Sequence, residues 1–145
     1  MTHSVLLVED NADDVFFVRR AFGKAFGEVD LRVVGDGEAA VAYLARRPPF
    51  DVPHAAPTPH LMLLDLKLPR MSGLEVLQWL RAQAELRRLP VVVLTGSRER
   101  RDVNRAYDLG ANSYLVKPVS TEAARELGAA LGLYWLRLNE PPTIR

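Results

Sequence analysis

Five apolar runs of four or five residues, separated by longer segments of helical period, set the strongest constraint on this chain. They read as strands near residues 4–8, 31–34, 61–64, 91–95 and 113–116. Short runs without polar alternation suit strands buried on both faces. Strands that alternate with helices imply a parallel sheet with helices packed on each side. The expected fold is therefore a doubly wound α/β domain.

The first helix is expected over about residues 12–26, with Asn11 as its start signal. Phe17, Val18, Ala21 and Ala25 form one apolar stripe and Val15, Phe22 and Phe26 another, a wider face than one core contact needs. Of Phe16 and Phe22, one should serve the core and the other a partner surface. A second helix is expected over 37–46, a third over 72–84, and a fourth over 98–108 with Gly110 as its stop. A fifth starts from Ser120 as N-cap. Residues 47–59 hold half of the ten prolines and read as a stiff surface loop.

What ends the strands matters more than what fills them, because open parallel sheets collect reactive groups beyond their carboxyl ends. The first run stops at Glu9-Asp10, the third at Asp65, the fourth at Thr95-Gly96-Ser97, and the fifth at Lys117-Pro118. Each alone has a plain reading: an acid pair at a helix start, a turn, a surface lysine. Together at one sheet edge they form a site. Three converging carboxylates repel one another unless a cation joins them, and an all-oxygen donor set suits Mg²⁺. Lys117 and Thr95 would supply an ammonium and a hydroxyl to phosphoryl oxygens while a carboxylate attacks phosphorus.

Composition narrows the alternatives. With 145 residues and no cysteine, one domain without disulfides or thiolate chemistry is expected. No apolar run spans a bilayer and no signal segment opens the chain, so a cytoplasmic protein without membrane contact is expected. Net charge is +1, and Arg98, Arg100, Arg101 and Arg105 read as a solvated helix face rather than a nucleic-acid surface. His3, His54 and His60 lack metal-ligand spacing and read as surface residues. Leu131, Leu133, Tyr134, Trp135, Leu136 and Leu138 read as part core, part subunit interface.

Val8-Glu9-Asp10-Asn11, Leu64-Asp65-Leu66-Lys67-Leu68-Pro69 with Ser72-Gly73, Leu94-Thr95-Gly96-Ser97 and Tyr114-Leu115-Val116-Lys117-Pro118 occur in an order that resembles the response-regulator receiver domain. The resemblance spans about residues 4–132 and implies a flavodoxin-like sheet in the order 2-1-3-4-5. It implies that Asp65 accepts a phosphoryl group from a sensor histidine kinase. Mg²⁺ would be held by Asp10, Asp65 and the backbone carbonyl of Lys67, with Glu9 reaching it through water. Thr95 and Lys117 would bind phosphoryl oxygens, Thr95 and Tyr114 would act as the switch, and Lys117–Pro118 would be cis.

More narrowly, Glu9 to Asp14, Asp36-Gly37-Glu38, the proline-rich insertion, Leu68 to Gly73, Leu109 to Tyr114 and Tyr134-Trp135-Leu136 resemble stand-alone regulators paired with bacterial phytochromes. That implies a phytochrome kinase as partner and a homodimer through the fourth and fifth helices and the C-terminal extension. Residues 1–132 would be the receiver and 133–145 a short extension without a separate output domain. The expectation is a phosphoacceptor switch that catalyses only its own phosphorylation and dephosphorylation. Alternatives are a carrier to a histidine phosphotransfer protein, a structural flavodoxin-like module, and a Mg²⁺-dependent aspartyl phosphatase. The phosphatase usually needs a second Asp two residues after the nucleophile, where this chain has Lys67.

Overall fold

The computed structural model describes residues 3–23 and 29–145. In chain order the elements are β1 (His3–Val8), α1 (Ala12–Gly23), β2 (Val29–Val34), α2 (Gly37–Ala45), β3 (Leu61–Leu64) and α3 (Gly73–Arg81). They continue with β4 (Val91–Thr95), α4 (Arg100–Asp108), β5 (Ser113–Val116), α5 (Thr121–Leu131) and a π-helical stretch, Gly132–Leu138. All five strands are parallel, in the order β2-β1-β3-β4-β5, as expected.

The three central strands are buried almost throughout, and the edge strands are not. Most of β2 and all of β5 are only half-buried, contrary to the expectation of burial on both faces. An edge strand lacks a neighbour on one side, and apolar content alone does not reveal that position. One core layer joins the sheet to α2 and α3 through Leu6, Met62, Leu64, Leu77 and Leu80. The opposite layer joins it to α1, α5 and the π-helical stretch through Leu7, Phe22, Leu63, Leu131 and Leu136.

Local chemistry sets the helix ends. Asn11 Oδ1 accepts from the Asp13 and Asp14 amides at 2.9 and 3.1 Å, and Ser120 caps α5. Ser72 and Glu75 form a reciprocal capping box on α3, with both bonds at 3.2 Å. α3 is shorter than its expected 72–84 because bonds from Ala82 and Gln83 close three residues back and tighten the turn. α4 begins at Arg100 because Glu99 is still extended, and Gly110 follows it at φ 104°.

Phe22 enters the core, whereas Phe16 is 56% exposed and carries Arg20 over its ring. Phe17 is also exposed, so its stripe is not all core, and Ala25 and Phe26 lie outside the described residues. The proline-rich loop is more than surface: Ala56 is buried, and Phe50 packs edge-on against Tyr43, whose hydroxyl donates to the Pro57 carbonyl. His60 corrects the surface reading too, since it is half-buried and its Nδ1 accepts the Ser4 amide at 3.1 Å. Ile144, near the end of the chain, packs on the α2–α3 layer, and Arg145 donates to Thr58. Among the described residues, no helix is long and apolar enough to cross a membrane.

Candidate functional site

Strand register brings the polar strand ends together. Val8 pairs with Leu64, so Glu9 and Asp65 both lie one residue beyond that rung. Thr95 pairs with Val116, which puts Lys117 just past the end of β5. Main-chain bonds extend the ladders there, from Asp65 N to Val8 O at 3.1 Å and from Lys117 N to Thr95 O at 2.8 Å. Sheet order reverses at β1, and the crevice at its carboxyl end is where such folds place their chemistry.

Asp65 is the hub. It is 5% exposed; its Oδ1 accepts from the Thr95 hydroxyl at 2.8 Å and from the Lys67 amide at 3.2 Å. Its Oδ2 meets Lys117 Nζ at 2.7 Å. The same ammonium reaches Glu9 at 2.8 Å and Asp14 at 2.7 Å, so its three N–H donors face three carboxylates. Asp14 escaped the expected site set. Its only sequence signal was a position one helical turn beyond Asp10, in the turn that Asn11 caps.

Burial and pairing divide the carboxylates. Burial pushes Glu9 up to about 7, against the hydrogen bonds from Lys117 and the Asn11 amide, while the Asp65 charge adds to the rise. For Asp65, burial also opposes ionisation, but hydrogen bonds from Lys117, Thr95 and Lys67 outweigh it and hold the carboxyl below its ordinary value. Burial works against the Lys117 charge as well, yet its bonds to Asp14, Asp65 and Glu9 hold it well above the usual lysine value. Asp65 is thus an ionised, desolvated carboxylate, suited to act as a nucleophile.

Glu9, Asp10 and Asp65 each offer an oxygen within 4.8 Å of the others, Glu9 and Asp65 buried and Asp10 exposed. Three hard oxygen donors this close fit a divalent cation, which would offset both the burial that raises Glu9 and the smaller repulsion from Asp65. The Lys67 side chain is exposed, and the residue contacts Asp65 through its backbone amide.

Tyr114 is turned inward, with its hydroxyl donating to the Ser97 carbonyl at 2.9 Å. The Ser97 hydroxyl in turn donates to Asp102 in the first turn of α4. Ser97 therefore links the end of β4 to both Tyr114 and α4, a coupling that its place in a turn-like Thr95-Gly96-Ser97 did not reveal. The Lys117–Pro118 bond is not cis; the cis bond among the described residues is Pro48–Pro49. Trans is the lower-energy form of an X–Pro bond by about 0.5–1 kcal/mol, and from it Lys117 reaches all three carboxylates.

Comparison with known proteins agrees with this geometry. The chain is 38% identical over 138 residues to the probable methanogenesis regulatory protein FilR2 of Methanothrix harundinacea, covering 95% of this chain and 86% of that protein. It is 35% identical over 132 residues to response regulator Rcp1 of Synechocystis, covering 91% and 88%. A solved structure of Rcp1 is a Mn²⁺-bound form; it aligns with TM-score 0.90 over 97% of this chain and 99% of that one. The phosphorylated cyanobacterial phytochrome response regulator RcpA aligns with TM-score 0.92 at 32% identity, covering 98% of this chain and 99% of that one. The model of the response regulator receiver domain matches residues 5–127, from within β1 through most of α5, and the chain belongs to that family.

Proposed function

We propose that this protein is a response regulator whose Asp65 takes a phosphoryl group from the phosphohistidine of a sensor kinase. The observation that carries the reading is the buried Asp65 carboxylate held between the Thr95 hydroxyl and the Lys117 ammonium. A carboxylate oxygen forms a bond to phosphorus as the P–N bond breaks, and the electron pair leaves with the imidazole nitrogen. Thr95 and Lys117 then hydrogen-bond the phosphoryl oxygens, where positioned donors do most of the work. Asp10, Asp65 and the Lys67 carbonyl would hold Mg²⁺, with Glu9 reaching it through water. The ion would neutralise charge developing on the phosphoryl oxygens.

Similarity to RcpA supports a phytochrome-type kinase as partner. The switch runs from Thr95 through Ser97 to Tyr114 and α4, and its output is association between copies of the chain. Exposed Tyr107, Leu133, Tyr134 and Leu138 support a dimer face along α4, α5 and residues 133–145, an extension of the receiver. The test is incubation with Mg²⁺ and phosphoramidate, followed by intact mass, peptide mapping and size-exclusion chromatography. One added phosphoryl group on Asp65 and an altered elution volume are expected. An unmodified chain would refute the reading.

Metal binding should depend on pH. Because Glu9 has its folded value raised to about 7, its protonated form favours the folded state below the ordinary value, and that contribution is lost as pH rises through 7. A cation competes with the same proton. Apparent Mg²⁺ affinity measured by calorimetry should rise severalfold from pH 6 to pH 8, and the thermal stabilisation by Mg²⁺ with it. A flat profile would separate Glu9 from the metal.

Lys67 sets a second expectation. Its side chain is exposed beside the site while its amide contacts Asp65, so the long cation can shield the bound phosphoryl group from water. Lys67→Asn should change the dephosphorylation rate severalfold and the phosphorylation rate less, as read by phosphoprotein decay. Equal effects on both steps would remove this role.

A further inference from the structure

We propose that Asp14 is a positioning residue for phosphoryl transfer, holding the Lys117 ammonium over Asp65 while the other carboxylates around that ammonium are engaged in the reaction. The proposal rests on the reading of Asp65 as phosphoacceptor. Lys117 makes three ion pairs, at 2.7 Å to Asp14, 2.7 Å to Asp65 and 2.8 Å to Glu9. Two of these partners change their bonding during transfer. Asp65 gives an oxygen to phosphorus, and Glu9 belongs to the oxygen cluster suited to a divalent cation. Asp14 belongs to neither, so its pairing can persist from free protein to phosphoprotein.

The geometry makes Asp14 a firm anchor. Asn11 Oδ1 accepts from its amide at 3.1 Å and from that of Asp13 at 2.9 Å, which fixes the first turn of α1 beneath the carboxylate. The lysine stem, by contrast, is intrinsically flexible and borders a cavity of about 130 Å³ between α1 and α5. From the α1 side the contact to the ammonium is the Asp14 ion pair. Neutralising Asp14 strands no unpaired charge, because the Lys117 ammonium keeps Glu9 and Asp65 as partners. The contact spans 103 residues of sequence and ties α1 to the end of β5.

The test uses the full chain with Mg²⁺ and phosphoramidate, with Asp14→Asn and Asp14→Glu made in wild type and Asp14→Asn also in a Lys117→Ala background. Asp14→Asn should slow phosphorylation roughly tenfold in wild type, since a misplaced group costs rate steeply. Asp14→Glu should restore part of that loss. In the Lys117→Ala background, Asp14→Asn should change the rate by less than about twofold, because the contact it removes is already gone. A separate readout is the lysine ¹H–¹⁵N signal of Lys117 Nζ without phosphodonor. It should exchange slowly with water in wild type and broaden in Asp14→Asn. An equal loss of rate in both backgrounds, or an unchanged rate and ammonium signal in Asp14→Asn, overturns the positioning role alone. A wild type that takes up no phosphoryl group overturns the phosphoacceptor reading and the role with it, and the ammonium signal still reports whether Asp14 holds Lys117.

Discussion

Asp65→Asn should abolish the phosphoryl gain of the chain in the presence of Mg²⁺ and phosphoramidate. The amide keeps an oxygen for the Thr95 hydroxyl, which now lies 2.8 Å from Oδ1, so the fold around it should survive. It lacks the anionic nucleophile, and no rearrangement of Thr95 or Lys117 supplies one. The substitution also removes the charge that helps raise Glu9, so the Glu9 carboxyl should titrate at lower pH than in wild type. Intact mass spectrometry reads the first effect and carboxyl NMR the second. A phosphoryl group retained by the variant would move the acceptor away from Asp65.

Gly73→Ala should be the most damaging single-methyl addition near the site. A Cβ there would lie 2.1 Å from the Asp65 carbonyl oxygen and 2.7 Å from the Leu66 Cα, both main-chain atoms that cannot swing aside. The Gly73 amide also donates to the Leu66 carbonyl at 2.9 Å, so the start of α3 is clamped against the strand end that carries Asp65. Relieving the clash means moving one backbone against the other. Overpacking that shifts backbone costs about 1–3 kcal/mol, and the upper end corresponds to a fall in Tm on the order of 10 °C. Phosphorylation should slow as well, because a displacement of Asp65 by about 1 Å can cost a hundredfold in rate. Gly96→Ala is the control: nothing lies within 4 Å of its added Cβ, and it should leave Tm unchanged. Calorimetric scans of the two variants check the contrast, and a Gly73→Ala protein as stable as Gly96→Ala would refute it.

The difference between these glycines shows where sequence reading stops. Gly96 follows β4 directly and Gly73 opens α3 nine residues after β3, and neither has a positive φ. Only the approach of α3 to Leu66 separates them. The same holds for the histidines: His54 is exposed as expected, whereas His60 is drawn inward by the Ser4 amide across 56 residues. On α1, the stripe spacing allowed either phenylalanine to face the core. Packing against Leu7 and Leu131 selected Phe22 and left Phe16 outside.

Local pattern by itself determined the five strands, the helices between them, the helix starts at Asn11 and Ser120, and the chemical type of each strand end. Those features depend on side-chain period, capping and turn chemistry, all of which act within a few residues. Tertiary structure decided the rest: which strands are edges, that Asp14 joins Glu9 and Asp65 around Lys117, and that Ser97 connects Tyr114 to α4. These contacts arise only when sheet order and register bring distant segments to one edge. No short-range pattern encodes the meeting of a carboxylate on α1 with an ammonium 103 residues later.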